Sequence, residues 1–210
     1  MSNDSKRLKT AVIGVGYLGR FHAQKYRQIE ESELVAVVDS NADAARKVAD
    51  ELGVEAVADY RSVIDRVDAI SIAVPTPLHH AVACAALERG VHVLVEKPIA
   101  TTVEEASDMI RLAERHGCVL QVGHLERFNP AIVAAADRLR TPRFVESHRL
   151  APFKQRGTDV SVVLDLMIHD IDLIQELVGQ PSKASTPWAR RCYPGRSTSS
   201  TRASVSRAAA

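Results

Sequence analysis

Along the first 123 residues, short apolar runs rich in β-branched residues alternate with longer stretches of helical periodicity. The runs Lys9 to Ile13, Leu34 to Asp39, Glu55 to Ala58, Ala69 to Val74, Val91 to Val95 and Val119 to Gly123 read as strands. Each is continuous rather than alternating, the pattern of a strand covered by helices on both faces of a parallel sheet. The segments between them read as helices. Thr101 to His116 is the clearest, with a capping box from Thr101 and Glu104 at its start and Gly117 at its end. The expected fold is α/β, a doubly wound parallel sheet over residues 7 to 123.

After Gly123 the pattern changes. A helix is expected from Pro130 to Arg140, one strand near Arg143 to Leu150, and a long helix near Val160 to Val178. One strand makes no sheet, so this part reads as an incomplete α/β domain. From Ser182 onward Ser, Arg, Thr and Ala dominate without a periodicity that would bury a face, and disorder is expected there. The expected organisation is 1–123 for a dinucleotide-binding domain, 124–181 for the start of a catalytic domain, and 182–210 for a disordered or aberrant tail.

Charge sharpens that last division. Residues 1–181 carry 21 basic and 26 acidic side chains, whereas 182–210 carry six basic and none acidic. The abrupt shift resembles translation in a changed reading frame; the alternative is a basic extension that binds an acidic partner. An acidic body argues against a nucleic-acid surface. No apolar window approaches a bilayer span or a signal peptide, so a cytoplasmic protein without a membrane partner is expected. Cys84, Cys118 and Cys192 lie far apart with no C-x-x-C pair, which fits reduced, packed thiols and no metal site.

The first strand runs into Gly14-Val15-Gly16-Tyr17-Leu18-Gly19 and then a helix, and Asp39 closes the second strand. This context turns a weak glycine pattern into a dinucleotide site. Gly14 permits the tight turn, Gly16 lets backbone amides, including those of Tyr17 and Leu18, approach a pyrophosphate, and Gly19 lets the helix pack on the sheet. Asp39 can accept from two ribose hydroxyls and repels a 2′-phosphate, so NAD is favoured over NADP. Thr76 and His79, after the Pro75 turn, are candidate cofactor residues; a strand-to-helix turn with a capping Thr explains them equally well.

Glu96-Lys97-Pro98 follows the fifth run and brings an ammonium group to the edge where a nicotinamide would lie. On the long helix, Ser161, Asp165, His169 and Asp172 recur at helical spacing as a polar stripe. Oxidising a secondary alcohol needs a base, a positive charge beside the forming alkoxide, and a hydride acceptor. His169, Lys97 and NAD would supply them, with Asp165 orienting the imidazole or holding a hydroxyl. The competing reading of the stripe is a solvated i, i+4 pair.

The three motifs, in this order, resemble the glucose-fructose oxidoreductase / inositol dehydrogenase / rhizopine-catabolism (Gfo/Idh/MocA) oxidoreductases over residues 7 to about 181. That resemblance implies an N-terminal Rossmann domain, with Glu96, Lys97 and Pro98 at the cofactor and Lys97 as the active-site lysine. It also implies a second α/β domain whose catalytic helix carries Asp165 and His169. The segments Gly14 to Tyr26 and Gly123 to Pro130 are most similar to the branch that oxidises the 3-hydroxyl of UDP-N-acetylglucosamine. A sugar or nucleotide-sugar substrate is therefore implied, touched by Asp165, His169, Arg127 and Asn129. Arg127 could neutralise a substrate diphosphate or form a surface ion pair. A homo-oligomer would need the second sheet. The alternative function is a truncated dinucleotide-binding protein or sensor without turnover.

Overall fold

The computed structural model describes residues 7–139, 144–152, 163–178, 188–192 and 198–204. The chain divides into two units, Met1–Gly123 and His124–Ala210. In the first, six strands form one sheet: β1 (Leu8–Ile13), β2 (Ser32–Val38), β3 (Glu55–Val57), β4 (Ala69–Ile72), β5 (His92–Val95) and β6 (Leu120–Val122). Their order is β3-β2-β1-β4-β5-β6, and every pair is parallel. This is the doubly wound dinucleotide-binding topology, with its switch point between β1 and β4. The helices are α1 (Tyr17–Gln28), α2 (Ala42–Leu52), α3 (Arg61–Ile64), α4 (His79–Leu87) and α5 (Val103–His116).

The continuous apolar runs are explained by burial on both sheet faces. Val12 and Val37 pack with Val15, Ala23 and Val48 in one cluster. Ile13, Val38, Ile70, Ile72, Val93 and Val95 pack with Leu87 and Met109 in the other. Helix ends obey local chemistry. Asn41 caps α2 through the Asp43 and Ala44 amides, and Gly53 ends it in the left-handed region at φ 67°. The capping box of α5 is real but lies one residue later than the sequence suggests, between Thr102 and Glu105. Glu105 serves both threonines, because it also accepts the Thr101 N–H at 2.9 Å.

Polar ties fasten α1 to the sheet. Tyr26 Oη lies 2.7 Å from Ser71 Oγ, and burial pushes the Tyr26 phenol up from its ordinary value.

The second unit begins with a short 3₁₀ turn, Leu125–Phe128, followed by α6 (Pro130–Ala135) and a second 3₁₀ turn, Ala136–Leu139. The expected helix from Pro130 is thus shorter in its α-helical part. The long helix is described from a π-helical stretch, Val163–Met167, into α7 (Ile168–Val178). Ser161 lies outside the described residues.

Two expectations about this unit differ from the structure. Strand β7 (Glu146–Pro152) is not alone, and the segment after residue 182 includes β8 (Trp188–Cys192) and β9 (Thr198–Ser204). They form a three-stranded antiparallel sheet in the order β7-β9-β8, with Glu146 opposite Ser204 and Trp188 opposite Arg202. A backbone ladder satisfies N–H and C=O groups whatever the side chains are. The missing hydrophobic periodicity of 182–210 therefore did not preclude pairing with a strand some fifty residues upstream.

Candidate functional site

The cofactor end of the first unit is built at the carboxyl edges of β1, β2, β4 and β5. Gly14 follows β1 at φ 85°, and a Cβ there would come within 2.8 Å of the Ala73 carbonyl group. Only glycine suits that conformation and that approach. A Cβ on Gly19 would overlap the Gly14 carbonyl oxygen, so close packing of α1 on the turn also requires its absence. Gly16 differs: an added Cβ would meet nothing within 4 Å. It borders open space at the start of α1, where it is the N-cap and supplies no side-chain cap, and no acidic residue occupies the first turn. Such a helix start directs its amides and its dipole at an anion.

Asp39 lies just beyond β2. Its Oδ2 accepts the Val15 N–H at 2.9 Å and its Oδ1 accepts the Asn41 N–H at 2.9 Å. Each oxygen retains a lone pair for a ribose hydroxyl. The glycine turn, the open space beside Gly16 and this fixed carboxylate fit a dinucleotide.

Thr76 opens a 3₁₀ turn, Thr76–Leu78, that crosses the same edge. His79 is only 1% exposed, with Nδ1 3.0 Å from the Pro98 carbonyl oxygen and Nε2 2.9 Å from that of Val74. The buried ring ties the segment after β4 to the segment after β5.

Glu96 and Lys97 follow β5 directly, with a cis bond between Lys97 and Pro98. Lys97 is half-buried and Glu96 is buried. Glu96 Oε1 is 2.8 Å from His22 Nε2 on α1. Burial works to raise the Glu96 carboxyl, but the His22 bond, the His22 and Lys97 charges and the Lys97 backbone N–H outweigh it. The carboxyl is held below its ordinary range.

In the second unit, Asp165 lies in the π-helical stretch and His169 in the first turn of α7, both half-buried. A π-helical turn of this kind frequently marks a functional position. Asp172, one turn on, is buried and engaged by Arg127, whose Nε is 2.8 Å from Oδ2 and whose Nη2 is 2.5 Å from Oδ1. Arg127 Nη1 also donates to Glu176 Oε2 at 2.5 Å. His124 Nδ1 stands 3.7 Å from Asp172 Oδ2. The Asp172 hydrogen bond, aided by both carboxylate charges, raises the Arg127 guanidinium above its ordinary value despite some desolvation. Arg127 thus joins the 3₁₀ turn to α7, with two carboxylates against its charge. Asn129 caps α6 by accepting the Ala131 N–H at 3.0 Å.

Sequence reasoning singled out neither His22 nor Glu176, and weighed His124 only as a metal ligand beside His169 and Asp172. His22 sits on α1 with its partner 74 residues away, so no local signal marks it. The buried Asp170 was also passed over, although an acid on a largely apolar helix is itself a signal. Among the described residues no cluster of His, Cys, Asp and Glu could hold a metal ion, and no helix is long and apolar enough to cross a membrane.

Comparison with known proteins agrees with this fold. The chain is 47% identical over 173 residues to the UDP-N-acetylglucosamine 3-dehydrogenase of Acidithiobacillus ferrooxidans, an alignment covering 82% of this chain and 55% of that protein. It is 34% identical to an inositol 2-dehydrogenase/D-chiro-inositol 3-dehydrogenase of Halalkalibacterium halodurans, over 81% of this chain and 53% of the relative. The chain therefore spans about half the length of the curated relatives it matches. A crystal structure of the Acidithiobacillus enzyme superposes with a TM-score of 0.83 at 38% identity, covering 96% of this chain and 70% of the other. Scyllo-inositol dehydrogenase from Lactobacillus casei, solved with bound NAD(H) and scyllo-inositol, superposes at 0.76 with 25% identity, over 90% of this chain and 61% of its own. The family described as oxidoreductases with an NAD-binding Rossmann fold matches residues 8–124, and the chain belongs to it: the Gfo/Idh/MocA family.

Proposed function

We propose that the chain carries the cofactor half and the catalytic helix of an NAD-dependent dehydrogenase. Its substrate would be a sugar or nucleotide sugar oxidised at a secondary hydroxyl, with the 3-hydroxyl of UDP-N-acetylglucosamine as first candidate. The observation that carries the reading is the single edge of the sheet on which the open Gly16 turn, the fixed Asp39 carboxylate and the Glu96-Lys97 pair all lie. The relatives' names narrow the chemistry to sugars, nucleotide sugars and cyclitols.

NAD, when bound, supplies the nicotinamide carbon that takes the hydride. The Lys97 ammonium stabilises the developing alkoxide, His169 takes the hydroxyl proton, and Asp165 holds the imidazole or a neighbouring hydroxyl. Carbon loses a hydride and oxygen a proton, which leaves a ketone. Arg127 already faces Asp172 and Glu176, so a substrate diphosphate would need a further cation or displacement of those carboxylates. Asn129 would reach substrate only with its carbonyl oxygen committed to the α6 cap. We place the protein in the cytoplasm and leave self-assembly to the β7-β9-β8 sheet.

The test is NADH formation by the purified full chain across UDP-N-acetylglucosamine, free sugars and inositols. NADH with any of these supports the dehydrogenase, and the best substrate names the branch. Tight NADH binding with no turnover on the whole panel would favour the second reading, a dinucleotide-binding protein without turnover. The specific observation behind that second reading is the half-length span relative to the curated relatives.

A further inference from the structure

We propose that His22 is a positioning residue for Lys97, acting through the carboxylate of Glu96. The two side chains are 11% and 9% exposed and meet at 2.8 Å, Nε2 to Oε1. A charged or polar side chain this sheltered is seldom found without a hydrogen-bonding partner. Here the carboxylate is held from three directions. His22 approaches from α1, the Lys97 backbone N–H donates to it, and Gly123 lies beside it with room for no side chain of its own. A Cβ at Gly123 would stand 3.3 Å from both the Glu96 carboxyl carbon and Oε1, so any side chain there would crowd the carboxylate that glycine leaves in place.

The backbone on either side is equally constrained. The Glu96 N–H donates to the Ile72 carbonyl at 3.0 Å, and the Gly123 N–H to that of Val95 at 2.8 Å. Pro98, immediately after Lys97, presents its carbonyl to the buried His79. Lys97 is thus the one residue between two anchored neighbours. The groups whose charge faces the Glu96 carboxylate are His22 and Lys97. An ionised carboxylate only accepts hydrogen bonds, so His22 presents an N–H at Nε2.

Glu96 therefore fixes the peptide from which the Lys97 ammonium rises, and His22 fixes Glu96. A displacement of about 1 Å at a reacting group costs on the order of a hundredfold in rate, which gives such a brace its value. The proposal rests on the dehydrogenase reading for its consequence in turnover, but not for its effect on Lys97.

The experiment uses the full chain with lysines labelled by ¹³C reductive methylation, the Lys97 resonance being assigned by its loss in Lys97→Arg. His22→Phe, which fills the space without an N–H, should move the Lys97 resonance. Where turnover is measurable, it should lower kcat by about ten- to a hundredfold, with NADH affinity changed less than about threefold. His22→Gln, which can still donate at the same depth, should restore most of both. Gly123→Ala, which presses Glu96 from the opposite side with His22 intact, should disturb Lys97 in the same way and guards against a folding defect in His22→Phe.

An unmoved Lys97 resonance in both His22→Phe and Gly123→Ala, or a His22→Gln variant as impaired as His22→Phe, overturns the proposal. Absence of sugar oxidation by the wild-type chain would instead count against the dehydrogenase reading, while the Lys97 resonance would still decide the brace.

Discussion

Asp39 Oδ2 accepts the backbone N–H of Val15 at 2.9 Å, so the carboxylate that would hold a ribose also holds the glycine turn in place. Affinity and loop geometry are coupled through one side chain. Asp39→Ala is expected to weaken NADH binding at least tenfold and to narrow the preference for NADH over NADPH, read by fluorescence titration with both. It should also cost about 1–3 kcal/mol of stability, because two backbone donors lose their acceptor.

The glycines separate folding from binding. Gly14→Ala places a Cβ against the Ala73 backbone at positive φ and should destabilise the first unit by at least about 1–3 kcal/mol. Gly16→Ala has open space and should leave the denaturation midpoint unchanged while reducing NADH affinity, since the added methyl occupies the approach to the helix amides. Urea denaturation beside NADH titration checks both.

His169→Ala is expected to lower turnover by roughly a hundredfold to ten-thousandfold, the usual contribution of a positioned base, with little change in NADH affinity. Retained turnover would remove His169 from the role of base.

Arg127→Ala strips the buried Asp172 carboxylate of its bidentate partner. Because Arg127 itself is partly exposed, the expected loss is about 1–3 kcal/mol rather than that of a fully buried pair. The double variant Arg127→Ala/Asp172→Asn should recover much of it, because the orphaned charge is then gone. Chemical denaturation of the single and double variants measures the coupling.

Glu96 contributes to the pH dependence of stability. Its folded-state pKa is held below the ordinary 4.5, so it binds its proton more weakly folded than unfolded. The stabilisation is fully present above pH 4.5 and is lost as the pH falls through the lower, folded value. Glu96→Gln should therefore show a shallower fall in melting temperature than the wild type as pH drops below that ordinary value.

The six strands of the first unit were legible because each carries a short run rich in apolar and β-branched residues without strict alternation, a property a strand displays without reference to its partners. The same holds for Gly14-x-Gly16-x-x-Gly19 and Asp39, which act within one strand-turn-helix-strand segment. The capping box was misplaced by one residue because Thr101 and Thr102 are chemically equivalent as caps, and only backbone geometry selects Thr102. His22 and Glu96 were beyond reach as a pair, since their meeting depends on α1 crossing the end of β5. Arg127 left two readings open because an arginine suits a phosphate or a carboxylate equally, and the choice depends on Asp172 lying 45 residues away. Strand β9 was hidden for a related reason: a ladder made by the backbone leaves little mark on composition.

The order β7-β9-β8 has a consequence during synthesis. All six strands of the first sheet exist once Val122 has left the ribosome, so that unit can fold while the chain is still growing. The second sheet forms later, because among the described residues both β7 and β8 pair with β9, which follows them in the chain. From the emergence of Glu146 until Ser204 is added, β7 lacks the β9 ladder that the folded sheet gives it. The pairing of β7 and β8 thus waits for a strand that follows both of them, whereas the cofactor sheet is built from strands already made.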